Sequence, residues 1–99
     1  MIARIWHGRT SLQKSDEYLR FLIERALPDY RSTAGNVTAK IFRRHGGDAA
    51  HFITFTLWDS LDSIRAFAGE EIEKAKYYPE DSSFLLEFEP TVQHFEVYD

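Results

Sequence analysis

HFITFTLWDSLDSIRAFAG, the stretch from His51 to Gly69, combines a strand with the helix that follows it. Its residues up to Trp58 are rich in β-branched and aromatic side chains, a composition typical of strands. Asp59-Ser60 then offers a helix N-cap, because a short polar side chain there accepts a bond from a free backbone N–H. Apolar residues recur after the cap at helical spacing, at Leu61, Ile64, Phe67 and Ala68. The stretch therefore predicts a strand that passes directly into an amphipathic helix.

The N-terminal part of the chain also predicts a strand followed by a helix. Ile2 to His7 predicts a strand that ends at Gly8, and a helix follows it. The apolar stripe of that helix is Leu19, Leu22, Ile23, Ala26 and Leu27. Pro28 has no N–H and disfavours helical geometry in the residue before it, so we expect the main helix to end at Leu27. Pro28-Asp29-Tyr30-Arg31 could begin a short extra turn, with the proline at a permitted first position.

Further segments complete the pattern of strands and helices. Val37 to Arg44 predicts a second strand, which the turn His45-Gly46-Gly47-Asp48 joins to the third. Ile72 to Ala75 is expected to add a helical turn, Ser83 to Glu87 is ambiguous, and Thr91 to Tyr98 predicts the last strand. The order β-α-β-β-α-β with right-handed crossovers predicts an α+β, ferredoxin-like sandwich, with four antiparallel strands and both helices on one face.

Composition limits the class of protein. The chain has 99 residues, which fits one domain over residues 1–99, and its net charge of −4 argues against a nucleic-acid partner. No run of about 18 apolar residues exists and the N-terminus reads as a strand, so we expect no membrane span, no signal peptide and a cytoplasmic location. The absence of cysteine excludes disulfides, a thiolate nucleophile and cysteine-ligated metals.

The third strand predicts a partner. Phe52 and Thr54 lie on one side of it, Ile53 and Phe55 on the other, and neither side is strongly polar. A strand that is apolar on both faces is buried on both faces, whereas two helices cover only one. We therefore expect a homodimer, with the side of Phe52 and Thr54 against the partner.

Short motifs are spread over nearly the whole chain. They are Ile5-Trp6 with Gly8, Gly35-Asn36, Thr56-Leu57-Trp58-Asp59-Ser60, Ile64, Ala66-Phe67-Ala68-Gly69, Tyr77-Tyr78-Pro79-Glu80-Asp81, and Val92 with His94-Phe95-Glu96-Val97. In these motifs the chain resembles the antibiotic-biosynthesis-monooxygenase family of dimeric α/β-barrel proteins, and the resemblance covers nearly the whole chain. It implies two subunits forming a dimeric α/β barrel. It also implies a monooxygenase-like protein that oxidises a small phenolic or quinol aromatic substrate with dioxygen, without cofactor or metal.

Such chemistry requires a base, an aromatic cavity and polar groups that hold a substrate anion. His94 is the candidate base and Tyr77 a candidate donor to the anion. The candidate substrate-binding residues are Trp6, His7, Trp58, Phe67 and Tyr78. The alternatives are a core or interface histidine at His94 and plain packing of Trp58.

Other functions stay open. A non-catalytic protein that binds small aromatic ligands and a purely structural dimer would have the same aromatic residues. Haem-degrading relatives in the family use a histidine ligand after the second helix and an asparagine on the first strand. Here the segment after the second helix reads Ala75-Lys76-Tyr77-Tyr78, without histidine, and the first strand has no asparagine. Both differences disfavour haem binding. His7 and His94 without a third ligand also make a poor metal site.

Overall fold

The computed structural model describes all residues from Met1 to Asp99 and contains one antiparallel sheet. Its four strands are β1 (Ile2–Ser11), β2 (Asn36–Gly46), β3 (Ala49–Trp58) and β4 (Gln93–Glu96), in the order β2-β3-β1-β4. Helical structure joins β1 to β2, and a second helix, α3 (Leu61–Ala68), follows β3. The predicted ferredoxin-like α+β fold is confirmed.

The first helical region is longer than predicted. The helical segment 12–32 contains a 3-10 turn (Leu12–Lys14), α1 (Ser15–Phe21), a π turn (Leu22–Ala26) and α2 (Leu27–Ser32). The helix does not end at Leu27 as expected, because the N–H of Leu27 bonds to the Leu22 carbonyl of the π turn; the extra turn expected from Pro28 is present and is continuous with it. Pro28 then lies in the first turn of α2, where no N–H is needed. None of the helices has the length and apolar character needed to cross a membrane.

β1 also extends beyond its expected end at His7 and pairs with β3 as far as Ser11, opposite Ala49. Gly8 is required within this strand because the indole of Trp6 lies against it. A Cβ at Gly8 would overlap Cη2 of Trp6. The glycine therefore makes room for an aromatic side chain and does not end the strand.

The region after α3 differs most from the prediction. Residues 72–75 form no helical turn; instead Lys74 pairs with Thr91 in an isolated bridge. A 3-10 turn (Pro79–Ser83) follows, and β4 is shorter than expected. The intervening chain runs beside β1, where the N–H of Leu86 bonds to the Arg9 carbonyl. This region therefore brings its side chains to both faces near β1.

Alternate residues of β3 face the helices. Phe52 and Trp58 are both 0% exposed, and the phenol of Tyr30 donates a hydrogen bond of 3.0 Å to Thr54. The sequence interpretation that placed Phe52 and Thr54 against a partner is wrong. Both sides of the strand are apolar, but the larger rings lie on this side and fill the space under the helices.

The other side of the sheet carries no helix, and we call it the open face. Phe42 stacks on Phe55 there, with ring centroids 6.0 Å apart, and Phe42 is 48% exposed. The large apolar side chains of the open face are Ile5, Phe42, Ile53, Phe55, Leu57 and Phe95.

Candidate functional site

The helical segment 12–32 and the sheet enclose a small space, which we call the inner cavity. Its polar and aromatic lining is Trp6, Tyr18, Tyr30, Thr54, Lys76, Tyr78 and Asp81. It offers about 10 Å³ to the centre of a water-sized sphere, which is room for about one water molecule. A wider depression of about 440 Å³ by the same measure lies beside it, lined by Arg25, Asp29, Lys76 and Tyr78. Lys76 and Tyr78 line both spaces and therefore form the wall between them.

Trp6 brings an unpaired hydrogen-bond donor to the inner cavity. The residue is 7% exposed, and its Nε1 is buried without a hydrogen-bond partner. A buried donor without an acceptor costs about 1–3 kcal/mol. The Tyr77 phenol lies near this N–H, but the contact does not have the geometry of a hydrogen bond. The N–H is therefore available to an oxygen atom of a molecule that reaches it.

Asp81 brings a carboxyl group that was not a candidate from the sequence. It is 2% exposed; its Oδ1 accepts a hydrogen bond from the Tyr18 phenol at 2.9 Å and its Oδ2 accepts one from the Tyr78 N–H at 2.7 Å. Burial raises the pKa of Asp81, although both bonds oppose the rise. The one sequence signal was local: Asp81 is the third residue of the turn that begins at Pro79 and caps it. Nothing in the sequence places Tyr18 beside it.

Tyr77 and Tyr78 have different surroundings. The phenol of Tyr78 donates to Oδ2 of Asp29 at 2.5 Å, and that of Tyr77 donates to the Glu89 carbonyl at 2.5 Å. The ring of Tyr77 meets Trp6 edge-on, with centroids 6.2 Å apart. Burial raises the pKa of both phenols, so both are neutral donors that already have acceptors. Only Tyr78 lines the inner cavity; Tyr77 packs behind Trp6.

His94 and His7 point to opposite faces of the sheet. His94 lies on the side of the helices, with its Nε2 3.1 Å from Nη1 of Arg4. Burial and then the charge of Arg4 lower the pKa of His94, so the neutral ring accepts a guanidinium hydrogen. It does not line the inner cavity. His7 lies on the open face, beside Glu89 and His51.

Trp58 and Phe67 belong to the core next to the cavity. Trp58 is fully buried, and its Nε1 donates to Thr56 at 2.9 Å. Its ring packs against Phe67 at 5.5 Å, and Phe67 contacts Tyr30 at 4.9 Å. Nζ of Lys76 lies 4.1 Å from the centre of the Phe67 ring. Trp58 is thus a core residue that does not line the cavity. Phe67 contacts Tyr30 and Lys76, which do line it.

Comparison with known proteins identifies the fold. No protein-family model and no curated protein sequence matches the chain. A solved structure that it resembles is the crystal structure of a point mutant of MhuD with two manganese protoporphyrin IX molecules bound per active site. The TM-score is 0.60 at 15% sequence identity, over 98% of this chain and 94% of that one. The two chains share a fold. At this identity the similarity extends to architecture and not to ligand or activity.

A porphyrin does not fit the residues of the inner cavity. Haem iron takes a histidine, cysteine, methionine or tyrosinate ligand. No histidine lines the cavity, and the phenols of Tyr77 and Tyr78 are neutral and bonded to other groups. Space for about one water molecule is also far too small for a tetrapyrrole.

Proposed function

We propose that the chain binds a small phenolic or quinol molecule at the inner cavity and oxidises it with dioxygen as a cofactor-independent monooxygenase. The unpaired N–H of Trp6 carries this proposal, because it is a buried donor beside an aromatic-lined space. The phenolic oxygen accepts this hydrogen bond, and the ring of the substrate packs against the aromatic lining.

Asp81 is the proposed base, in place of His94. It lines the inner cavity, and a pKa raised by burial makes its carboxylate a stronger proton acceptor than an exposed aspartate. The ammonium of Lys76 and the indole N–H of Trp6 then stabilise the substrate anion. The substrate loses two hydrogens and gains one oxygen atom, while the other oxygen atom leaves as water. The substrate anion is thus the only reductant.

Substrate access requires the wall of the inner cavity to open. Asp29 holds both side chains of that wall, since it pairs with Lys76 at 3.0 Å and accepts from the Tyr78 phenol at 2.5 Å. Outward rotation of the Tyr78 side chain, with Lys76 kept over the Phe67 ring, joins the inner cavity to the wider depression beside it. The joined space is of the size that small-molecule sites have.

We also propose that the open face is covered by a second copy of the chain. Four strands of this length present about 500–600 Å² on one face, from the usual rise and strand spacing. Two such faces bury about 1,000–1,200 Å², enough for a specific interface. The same sheet face on both protomers satisfies the symmetry of a two-fold dimer.

An NMR titration tests the site. The chain has two tryptophans and therefore two indole N–H signals, of which Trp6 is unpaired and Trp58 is bonded to Thr56. Titration with a substituted hydroquinone should shift the Trp6 signal and leave the Trp58 signal in place. Absence of any shift over a panel of phenols and quinols would refute the site.

Oxygen uptake tests the chemistry and separates the alternatives. Asp81→Asn should reduce uptake at least about 100-fold, within the range for general-base catalysis, whereas His94→Gln should change it by less than about 3-fold. The reverse result would identify His94 as the base. A shifted Trp6 signal without uptake would identify a non-catalytic binding protein, and a Soret band on titration with haemin would favour the haem alternative.

A further inference from the structure

Three titratable side chains form a chain on the open face, outside the candidate site. Oε2 of Glu89 lies 2.5 Å from Nδ1 of His7, and Nε2 of His7 lies 3.4 Å from Nδ1 of His51. The centres of the two imidazole rings are 5.6 Å apart, so the facing nitrogens point at each other. Glu89, His7 and His51 are all partly buried before any partner covers the face.

Only one proton fits between the two rings. When both rings are neutral and Glu89 accepts the Nδ1–H of His7, Nε2 of His7 is left to accept the Nδ1–H of His51. Protonation of both rings would place an N–H on each facing nitrogen, break this hydrogen bond and hold two cations about 3.4 Å apart. Full protonation therefore pushes the two rings apart.

The surrounding charges do not offset a second cation. The charged side chains around the two rings, besides Glu89, are Arg9, Arg43, Arg44 and Glu87, and Asp48 lies near Arg9. Glu87 faces both histidines, but both of its oxygens are bonded to Arg9. Arg9 pairs with Glu87 at 2.7 Å, and Arg43 pairs with Asp16 at 2.7 Å. Arg44 forms no salt bridge and lines the same depression as both histidines. Glu89 can therefore balance one imidazolium, but the second stays unbalanced beside an arginine.

We propose that protonation of the His7–His51 pair dissociates the dimer formed through the open face. The inference rests on the proposed homodimer and names its regulation. Covering the face removes water from the pair, and a desolvated cation without a partner is costly. A separated protomer keeps both rings in contact with water, which solvates the second positive charge. The dimer therefore binds this proton more weakly than the free protomer does.

The sign of the pH dependence follows from linkage. The dissociated state binds more protons, so the dimer is present at high pH and is lost as pH falls through the range in which histidines titrate, between about pH 8 and pH 5. One additional proton per protomer makes two per dimer. The dissociation constant then rises by at most about 100-fold per unit of pH.

Sedimentation velocity of the full chain at about pH 8 and about pH 5, at constant ionic strength, tests the proposal. The dissociation constant of the wild type should rise at least about 10-fold on acidification. In His51→Gln it should change less than about 3-fold, because the remaining imidazolium of His7 is balanced by Glu89. His45→Gln is the matched control: His45 bonds to Ser15 at 2.8 Å, away from this pair, and its loss should preserve the wild-type response.

Three results would overturn the inference. A wild-type dimer of equal strength at both pH values would refute the switch and leave the dimer standing. A pH response that persists in His51→Gln would assign it to other groups. A monomer at both pH values would refute the proposed dimer itself and the switch with it.

Discussion

The phenol of Tyr18 donates a hydrogen bond of 2.9 Å to Oδ1 of Asp81, 63 positions later in the chain. Both residues are almost fully buried, at 1% and 2% exposed. The bond ties the helical segment 12–32 to the turn that closes the inner cavity. It also holds the carboxyl group in one orientation, with part of its charge stabilised by a donor.

Tyr18→Phe should destabilise the protein and shift the pH profile of activity. A buried hydrogen bond to a charged group contributes about 1.5–3 kcal/mol, and its loss should lower the free energy of unfolding by about that amount. The Tyr18 bond lowers the pKa of Asp81, so its removal should raise that pKa and move the basic form to higher pH. Oxygen uptake against pH measures the shift. Tyr30→Phe, which loses only a neutral bond to Thr54, should leave the midpoint unchanged.

Asp81→Asn should change how stability depends on pH. The pKa of Asp81 is raised in the fold, so the native state binds more protons than the unfolded state above the ordinary aspartate value of about 3.9. Ionisation of Asp81 therefore costs the wild type stability as pH rises, and the variant lacks this cost. In urea unfolding between about pH 4 and pH 7, the free energy of unfolding of the variant should increase relative to that of the wild type as pH rises. If the difference in free energy of unfolding between the two proteins did not change with pH, the pKa of Asp81 would not be raised in the fold.

The fold was predictable because its signals are local. The strand that ends at Trp58, its cap at Ser60 and the apolar stripe of α3 lie within one stretch, and each has the expected structure. The predicted element ends were wrong where the conformation of a residue depends on a side chain distant in sequence or on an unusual backbone turn. Gly8 accommodates the Trp6 ring, and Pro28 is tolerated because a π turn precedes it.

The site was less predictable for the same reason. Trp6 and Tyr78 were candidates and line the inner cavity, but Asp81 gains its chemical character only from burial and from Tyr18. His94 was a candidate for its residue type, and its partner Arg4 lies on another strand. Residue types and spacing do not indicate such contacts. The phase of β3 was ambiguous because both of its sides are apolar.

Ile53→Asp should dissociate the proposed dimer without unfolding the protomer. Ile53 lies on the open face, so the carboxylate is tolerated in water but not between two sheets. Phe52→Asp is the matched variant one position away. Phe52 is 0% exposed and packs against Tyr18 with ring centroids 5.1 Å apart, so a carboxylate there should unfold the protein. Sedimentation and circular dichroism distinguish the two results. A dimeric Ile53→Asp would exclude the open face as the interface.

The two tryptophans provide a final matched pair. Trp6→Phe removes an unpaired donor as well as part of a packed ring, so the two effects oppose each other and the free energy of unfolding should change by less than about 1 kcal/mol. Affinity for a phenolic ligand should fall about 10-fold to 100-fold, the worth of a hydrogen bond to a charged oxygen. Trp58→Phe removes a donor that is bonded to Thr56 and should destabilise by about 2–4 kcal/mol while leaving ligand affinity unchanged. Calorimetric titration and thermal unfolding of both variants measure these effects. Equal loss of ligand affinity in both would show that the indole N–H of Trp6 does not bind the ligand.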